Sequence, residues 1–350
     1  MRETVGVERE DLGYREAFLS IDVERLHDLE GRYLTCEARC DTVRTTIAVP
    51  IGPHRIRFEF LANAEDDNAQ LLTPEEGYRL LERGWDLTSE DVRIYRQVIY
   101  PFEGQVANDW RSGRIFIAGD AAHLMPPVLG QGACSAMRDV VNLVWKLDMV
   151  MRGIIGDDLL DTYTQERRPH VYQHVAGSIA VAELLCERDP DRAAERNELY
   201  YSGKMPPPPI DPTLTAGILR RDRQGDLLGP AGELGPQAVI DLGGRRGRFD
   251  ELMGWGFHLI ARGCDPLALL DEEDRALLET IGCLTMGIGE GAEADDVDGG
   301  YAAFFDEYGV EAVLVRPDFW CFGGSKTIDD IPALVRDLRD QLGVRVASLV

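Results

Sequence analysis

Residues 114–147 read RIFIAGDAAHLMPPVLGQGACSAMRDVVNLVWKL and hold the residues best spaced for chemistry. Asp120 follows Gly119 at the end of an apolar run, residues 115–118. In open α/β sheets ligands lie beyond the carboxyl ends of strands. A carboxylate there can accept hydrogen bonds from sugar or polyol hydroxyls. Pro126 and Pro127 stiffen the next loop, which lowers the entropy lost on ordering it. Gly130, Gln131 and Gly132 then allow main-chain N–H groups to approach a ligand without side-chain obstruction. The helix that follows directs its free N–H groups and positive dipole end at the same loop, where negative charge is stabilised. The competing reading is a buried strand, a tight turn and a core helix with no ligand. The order Gly-Asp, Pro-Pro, Gly-Gln-Gly favours the ligand site.

Those residues need elements to hold them. Residues 115–118, Ile-Phe-Ile-Ala, are apolar on both faces, as buried parallel strands are. In the helix, Ala133, Met137, Val140, Val144, Leu147 and Met151 alternate spacings of four and three and form one apolar stripe. Arg138, Asp139, Asn142 and Lys146 occupy other faces, and Gly153 is a natural stop. Upstream, residues 18–23 and 92–102 read as strands, and 45–60 as two strands around Gly52-Pro53. In the second of these, Ile56, Phe58 and Phe60 alternate with Arg55, Arg57 and Glu59, one face apolar and one charged. Residues 74–85 read as a helix capped by Thr73, with Glu76 three residues on. Downstream, 159–186 reads as helix, broken or kinked at Pro169. Residues 187–237, including MPPPPIDPTL, read as linker or lid. Residues 238–350 alternate short strands and helices, a small α/β domain. The expected division is therefore 1–186, 187–237 and 238–350.

The chain has 350 residues, 37 basic and 62 acidic, for a net charge of −25. That length suffices for two domains. The charge repels a duplex or an anionic membrane, so nucleic-acid and membrane partners are not expected. No apolar run is long enough to span a bilayer. The first ten residues, MRETVGVERE, have no apolar signal core, which points to a cytoplasmic protein. The seven cysteines are odd in number and scattered, as reduced cytosolic thiols are. Cys36 and Cys40 have no second pair to complete a zinc site.

The Gly-Asp-Ala-Ala-His, Pro-Pro, Gly-Gln-Gly and Arg-Asp-x-x-Asn-Leu-x-Trp-Lys-Leu elements resemble the second flavin motif of class A flavoprotein aromatic hydroxylases, of the 3-(3-hydroxyphenyl)propionate hydroxylase and phenol hydroxylase type. YTQERRPH at 163–170 and LVRPDFWCFGG at 314–324 are also similar to that family. The resemblance implies an α/β (α+β) fold: part of a Rossmann-like FAD-binding monooxygenase domain, an antiparallel substrate sheet, and a thioredoxin-like C-terminal domain without Cys-x-x-Cys. It implies FAD, bound by Phe116, Ile117, Ala118, Gly119, Asp120, Ala121, Ala122, His123, Leu124, Met125, Pro126, Pro127, Gly130, Gln131 and Gly132. Asp120 would lie near the ribityl chain and residues 130–132 near the isoalloxazine ring. It implies NAD(P)H as co-substrate, O2, and hydroxylation of a phenolic or related aromatic acid through a flavin C4a-hydroperoxide. Metal is not expected.

The sequence departs from the family in four ways. The Gly-x-Gly-x-x-Gly unit for the ADP half of FAD and the central Asp-Gly motif are not found. Gln105 stands where relatives often have arginine, and Ala136 where glycine is frequent. A shortened gene product, a start placed too late, or a chain that works with a partner, either a second copy or a separate N-terminal half, would each account for this. The alternative to an enzyme is a non-catalytic remnant or interaction module that does not bind FAD alone.

Other residues carry paired readings. His170 and His174, four apart, suit zinc ligation or, far better, a surface or capping role. His123 touches flavin or substrate, or makes a local hydrogen bond to the backbone. Arg55, Arg57 and Glu59 line a cavity or form a solvated ladder. Cys134 at the helix start is read as packing, as are Tyr100 and Phe102. Residues 243–248, GGRRGR, are read as a turn with solvated arginines.

Overall fold

A computed structural model describes residues 4, 6–29, 31–33, 35–207 and 213–344. Parts of two stretches singled out above, 1–3 and 5 at the N-terminus and 208–212 in the proline-rich segment, lie outside the described residues.

The N-terminal half is built on an antiparallel sheet. Its strands are β1 (Arg9–Arg25), β2 (Glu37–Arg39), β3 (Thr46–Gly52), β4 (Arg55–Ala62) and β5 (Val92–Ala107). A two-residue pair, β6 (Arg111–Ser112) with β7 (Ile115–Phe116), precedes β8 (His123–Leu124). The large sheet runs β2-β3-β4-β1-β5-β8. The alternation in β4 holds. Ile56, Phe58 and Phe60 are buried with Leu19, Ile21 and Val23 of β1 against Leu80, Leu81 and Trp85. Those last three lie on α2 (Pro74–Trp85), which follows the short α1 (Asn68–Leu71). Thr73 caps α2 as expected, its side chain accepting from the Glu76 N–H. The opposite face of the sheet, through Phe18, Leu61 and Phe102, packs on Val175 and Ile179 of α4 (Thr162–Leu185).

Two expectations at the central motif need correction. Residues 115–118 do not form a buried parallel strand. Only Ile115 and Phe116 are in a strand, it is antiparallel to β6, and Ile115 is exposed. Among the described residues no strand lies parallel beside it, and an apolar run cannot be a central strand without neighbours. The helix, α3 (Gln131–Met151), forms as expected, but its apolar stripe faces outward. Met137, Val140, Val144 and Met151 are 61, 51, 44 and 83% exposed. Ser135, Asp139, Asn142 and Lys146 are buried instead, the last three because Arg167, Glu166 and Asp318 on other elements receive them. α4 runs unbroken through Pro169.

The C-terminal half follows α5 (Pro190–Tyr201). A hairpin, β9 (Val239–Leu242) with β10 (Arg245–Arg248), leads to α6 (Phe249–Met253) and β11 (His258–Arg262). The GGRRGR segment is thus a turn and a strand, with both Gly243 and Gly244 at positive φ. Then come α7 (Glu272–Thr280), β12 (Leu284–Ile288), β13 (Asp295–Asp296), α8 (Gly300–Tyr308), β14 (Ala312–Val315), β15 (Cys321–Ser325) and α9 (Ile331–Leu342). A four-stranded sheet, β12-β11-β14-β15, has one parallel pair, β11 with β12. One of its faces packs on α7, α9 and the end of α3, through Leu259, Leu277, Leu334 and Trp145. The other packs on α8 through Ile260, Met286 and Phe305. The segment read as linker is in part core: Leu214 and Leu219 are fully buried against Trp320, and Ile218 joins the cluster around Trp145. Its apolar residues are few and widely spaced, so no period announced them.

Candidate functional site

The Gly-Asp turn is held entirely by its main chain. Gly119 has φ of +54°, a left-handed conformation that favours glycine, and an added Cβ would meet the Ala136 methyl at 3.2 Å. Its N–H donates to Asp139 Oδ2 at 3.0 Å. The same carboxylate oxygen lies 2.9 Å from His123 Nε2, and the other accepts from Arg167 Nε at 3.0 Å. Arg167 continues to His170 Nδ1 at 2.6 Å and to the Ser135 carbonyl at 3.3 Å. The Tyr163 hydroxyl donates to the Ile117 carbonyl at 2.9 Å. Trp110 stacks on His123, ring centroids 5.7 Å apart. Arg9, reaching from β1, donates to the Asp120 carbonyl. Asp139, His123, Arg167 and His170 are all buried.

The Asp120 side chain is left outside this network. The residue is exposed, and its carboxylate has no hydrogen-bond partner among the described residues. Ala121 and Pro127 are exposed as well, while Ile117, Ala122, His123 and Pro126 are buried and shape the turn. Phe116, Ala118, Leu124 and Met125 are half-buried. Leu124 and His123 pair with Gln105 and Val106, which fastens the motif to the end of β5.

The N-terminus of α3 is open. Gly130 is its N-cap, at φ of +64°, and no side chain caps it. A Cβ built at Gly130 or Gly132 would meet nothing within 4 Å. The first N–H groups of a helix have no intrahelical acceptor, so this end presents donors and partial positive charge. Arg138 lies beside it and donates to Gln131 Oε1 at 3.1 Å. Burial, and after it the Arg167 cation, push the Arg138 guanidinium below its ordinary range. An exposed carboxylate, an uncapped helix end and an added cation suit a polyol chain ending in an electron-accepting ring that becomes anionic on reduction. The Ser135 hydroxyl is buried with no partner among the described residues.

Sequence reasoning missed Asp139, Arg138, Arg167, Tyr163 and Arg9. The sequence puts Asp139 on another helix face and inside the family-like Arg-Asp-x-x-Asn element but gives it no partner, and its partners lie 16 to 28 residues away. His170 and His174 are buried, not on the surface. His174 Nδ1 lies 2.9 Å from the His170 carbonyl, and burial lowers its pKa. No group of residues suited to hold a metal ion exists among those described. His123 meets a carboxylate, neither of the two partners considered for it.

Two further polar assemblies lie on the sheet and beneath α3. On the sheet, Arg57 pairs with Asp22 at 2.7 and 3.0 Å, Arg96 approaches Asp22 at 3.4 Å, and the Ser20 hydroxyl donates to Glu59 at 2.5 Å. Arg57 and Glu59 are therefore an ion-paired, part-buried ladder. Burial raises the Glu59 pKa, and the Ser20 bond and Arg57 offset this only in part. Beneath α3, Lys146 Nζ meets Glu166 at 2.8 Å, and Asn142 donates to Glu166 and Asp318 at 2.7 Å each. Arg316 binds Glu166 at 2.5 and 3.1 Å and Asp318 at 2.6 and 3.0 Å. The Ile218 N–H donates to Glu166 at 3.0 Å, and its carbonyl accepts from Arg316 at 3.0 Å. Burial brings the Lys146 ammonium down to about 8, whereas Arg316 and Lys146 overcome burial at Glu166 and hold it at about 2.

An antiparallel sheet joined to this turn and helix defines the fold of flavin-dependent hydroxylases. The structure is similar to the flavin-dependent monooxygenase PieE in complex with FAD and substrate, at a TM-score of 0.76 and 21% identity over 98% of this chain and 68% of that one. It is similar to aklavinone-11 hydroxylase with FAD and aklavinone, at a TM-score of 0.75 and 23% identity over 98% of this chain and 65% of that one. At such identities the likeness is one of fold. The family described as FAD binding domain matches residues 1–178, and the chain belongs to it. A second family, described as HcaD C-terminal domain, matches residues 232–341. Among curated relatives, a probable NADH-specific resorcinol 4-hydroxylase of Rhodococcus jostii strain RHA1 is 31% identical over 97% of this chain and 63% of its own length. A 3-(3-hydroxy-phenyl)propionate/3-hydroxycinnamic acid hydroxylase of Klebsiella pneumoniae strain 342 is 35% identical over 69% of this chain and 46% of its own. The chain thus spans less than two thirds of the length of these relatives. No described helix is long and apolar enough to cross a membrane.

Proposed function

We propose that this chain supplies the ribityl and ring side of the FAD site of an aromatic-ring monooxygenase that uses NAD(P)H and O2 on a phenolic acid or related aromatic. The observation that carries this is the free Asp120 carboxylate beside the uncapped end of α3. The chemistry supplied when FAD is bound is hydride uptake from NAD(P)H and transfer of one atom of O2 to the substrate ring, the other leaving as water. This chain's residues bind and orient. Asp120 accepts hydrogen bonds from ribityl hydroxyls. Main-chain N–H groups of residues 130–132 and the nearby Arg138 stabilise negative charge on the ring edge. Asp139 fixes the Gly119 amide so that Asp120 does not drift. The remaining motif residues, 116–118, 121–127 and 131, wall the site. Relatives' names support the substrate class, and residues 1–186, 187–237 and 238–350 stand as the proposed division, the last thioredoxin-like.

The test is direct titration of FAD into the purified chain, followed by flavin fluorescence and retained absorbance. Removal of a hydrogen bond to a charged group costs about 1.5–3 kcal/mol. Asp120→Ala is therefore expected to weaken FAD binding by roughly 10-fold to 100-fold. A colourless, well-folded protein returns the chain to the class of non-catalytic interaction modules, and unchanged affinity in the variant puts the flavin site elsewhere.

A further inference from the structure

A cavity of about 330 Å³ opens between α2, the loop joining β2 to β3, and the face of the large sheet turned away from α4. Its floor is apolar: Phe60 and Leu80, both buried, with the exposed Val43 at the mouth. Four arginines line it, Arg39, Arg44, Arg79 and Arg83, against two carboxylates, Asp41 and Glu65. Asp41 is turned to its own loop, where Oδ1 accepts from the Val43 N–H at 2.7 Å. Three of the arginines are held by groups that do not line the cavity. Arg44 donates to the Leu61 carbonyl at 2.6 Å and to Asp66 at 2.7 Å. Arg79 donates from Nε to Glu76 at 2.7 Å. Arg39 donates to Glu37 at 2.9 Å, and its guanidinium lies over the Trp85 ring, 4.0 Å from the centroid. These contacts fix the three guanidinium groups, yet Arg39 Nη2, Arg44 Nε and Arg79 Nη1 have no acceptor among the described residues. Arg83 has no hydrogen-bond or ion-pair partner among them at all, so its charge is the one left over.

We propose that this cavity is a second small-molecule site and that it takes a monocyclic aromatic carboxylate. The proposal goes beyond the flavin reading and stands without it. The Phe60–Leu80 floor takes the ring out of water, which is favourable in proportion to the apolar area buried. Arg39, already stacked on Trp85, offers a planar cation to the ring. The carboxylate meets Arg83 and the spare N–H groups of its neighbours, and such charge-assisted bonds are about twice as strong as neutral ones. Ligand pockets span about 300–1,000 Å³, and a cavity at the small end suits one ring with a short acid rather than a dinucleotide. An inorganic anion would use the cations and leave the apolar floor in water. The flavin motif lies across the sheet. Phe60 alternates with Leu61 along β4, and it is Leu61 that packs with α4. An acid bound here leaves the Gly119–Asp120 turn uncovered.

The test is titration calorimetry of the whole chain with benzoate, against benzyl alcohol and inorganic phosphate. A single site with a dissociation constant of about 1 mM or tighter is expected, the alcohol and phosphate each binding at least about 10-fold more weakly. Arg83→Gln removes bonds to a charged group and should weaken benzoate by about 10-fold to 100-fold. Val43→Asp sets a carboxylate at the mouth and should abolish binding. Both residues are exposed, so the unfolding midpoint of each variant should hold. Arg96→Gln, beside Asp22 on the other face of the sheet, should bind benzoate as the wild type does. No binding of benzoate, equal binding of the alcohol or of phosphate, or unchanged affinity in Arg83→Gln would each overturn the proposal. Affinity lost in Arg96→Gln and kept in Val43→Asp would put the acid on the opposite face and overturn it as well.

Discussion

Asp120 and Asp139 are carboxylates of one motif with opposite duties. Asp139 turns inward and takes hydrogen bonds from the Gly119 amide, His123 and Arg167, while Asp120 keeps its oxygens free in the open. The first duty was invisible in the sequence and the second was not. A Gly-Asp pair closing an apolar run announces a ligand-facing carboxylate, but nothing near Asp139 announces partners on two other elements. Asp139→Asn leaves Arg167 buried without its counter-charge, and breaking a buried pair costs about 3–5 kcal/mol. Urea unfolding should show a loss of that order, and Glu10→Gln, whose partner Arg168 is part-exposed, should cost about 1 kcal/mol or less.

Elements were legible wherever local chemistry specified them. The alternation in β4, the Thr73 cap and the full length of α3 all follow from residues within a few positions of one another. The facing of α3 was not legible. Periodicity locates an apolar stripe but does not name what lies opposite it, and the polar side of this helix is the buried one because Glu166 and Asp318 wait there. The same limit explains residues 115–118, whose composition suits a central strand that has no neighbours here. Gly130 is the hinge between loop and helix, and its αL backbone costs an L-residue about 1–2 kcal/mol. Gly130→Ala meets no atom within 4 Å, so its effect is backbone strain alone. It should lower stability by that amount and weaken FAD binding as the first N–H groups of α3 shift, which thermal unfolding and flavin titration can check separately.

Across the whole molecule, the flavin-motif helix and the C-terminal half are one unit. Lys146 and Asn142 on α3, Glu166 on α4, Ile218 in the connecting segment, and Arg316 with Asp318 after β14 share a single buried cluster. Glu166 gives it a pH signature. Its folded pKa of about 2 lies below the ordinary 4.5, so the unfolded chain takes up the proton first as pH falls. The stability it contributes is complete above 4.5 and drains away between 4.5 and about 2. Glu166→Gln should be destabilised at neutral pH, and its deficit against the wild type should shrink as unfolding is measured from pH 5 down to pH 3. The outward row of thioether and methyl groups on α3 has a consequence for handling. At neutral pH a coat of like charge keeps neighbouring molecules apart, but the isoelectric point is near 4.6 and that coat thins on acidification. Concentrated stocks should then turn cloudy, the oily ridge becoming the strongest feature one molecule offers the next.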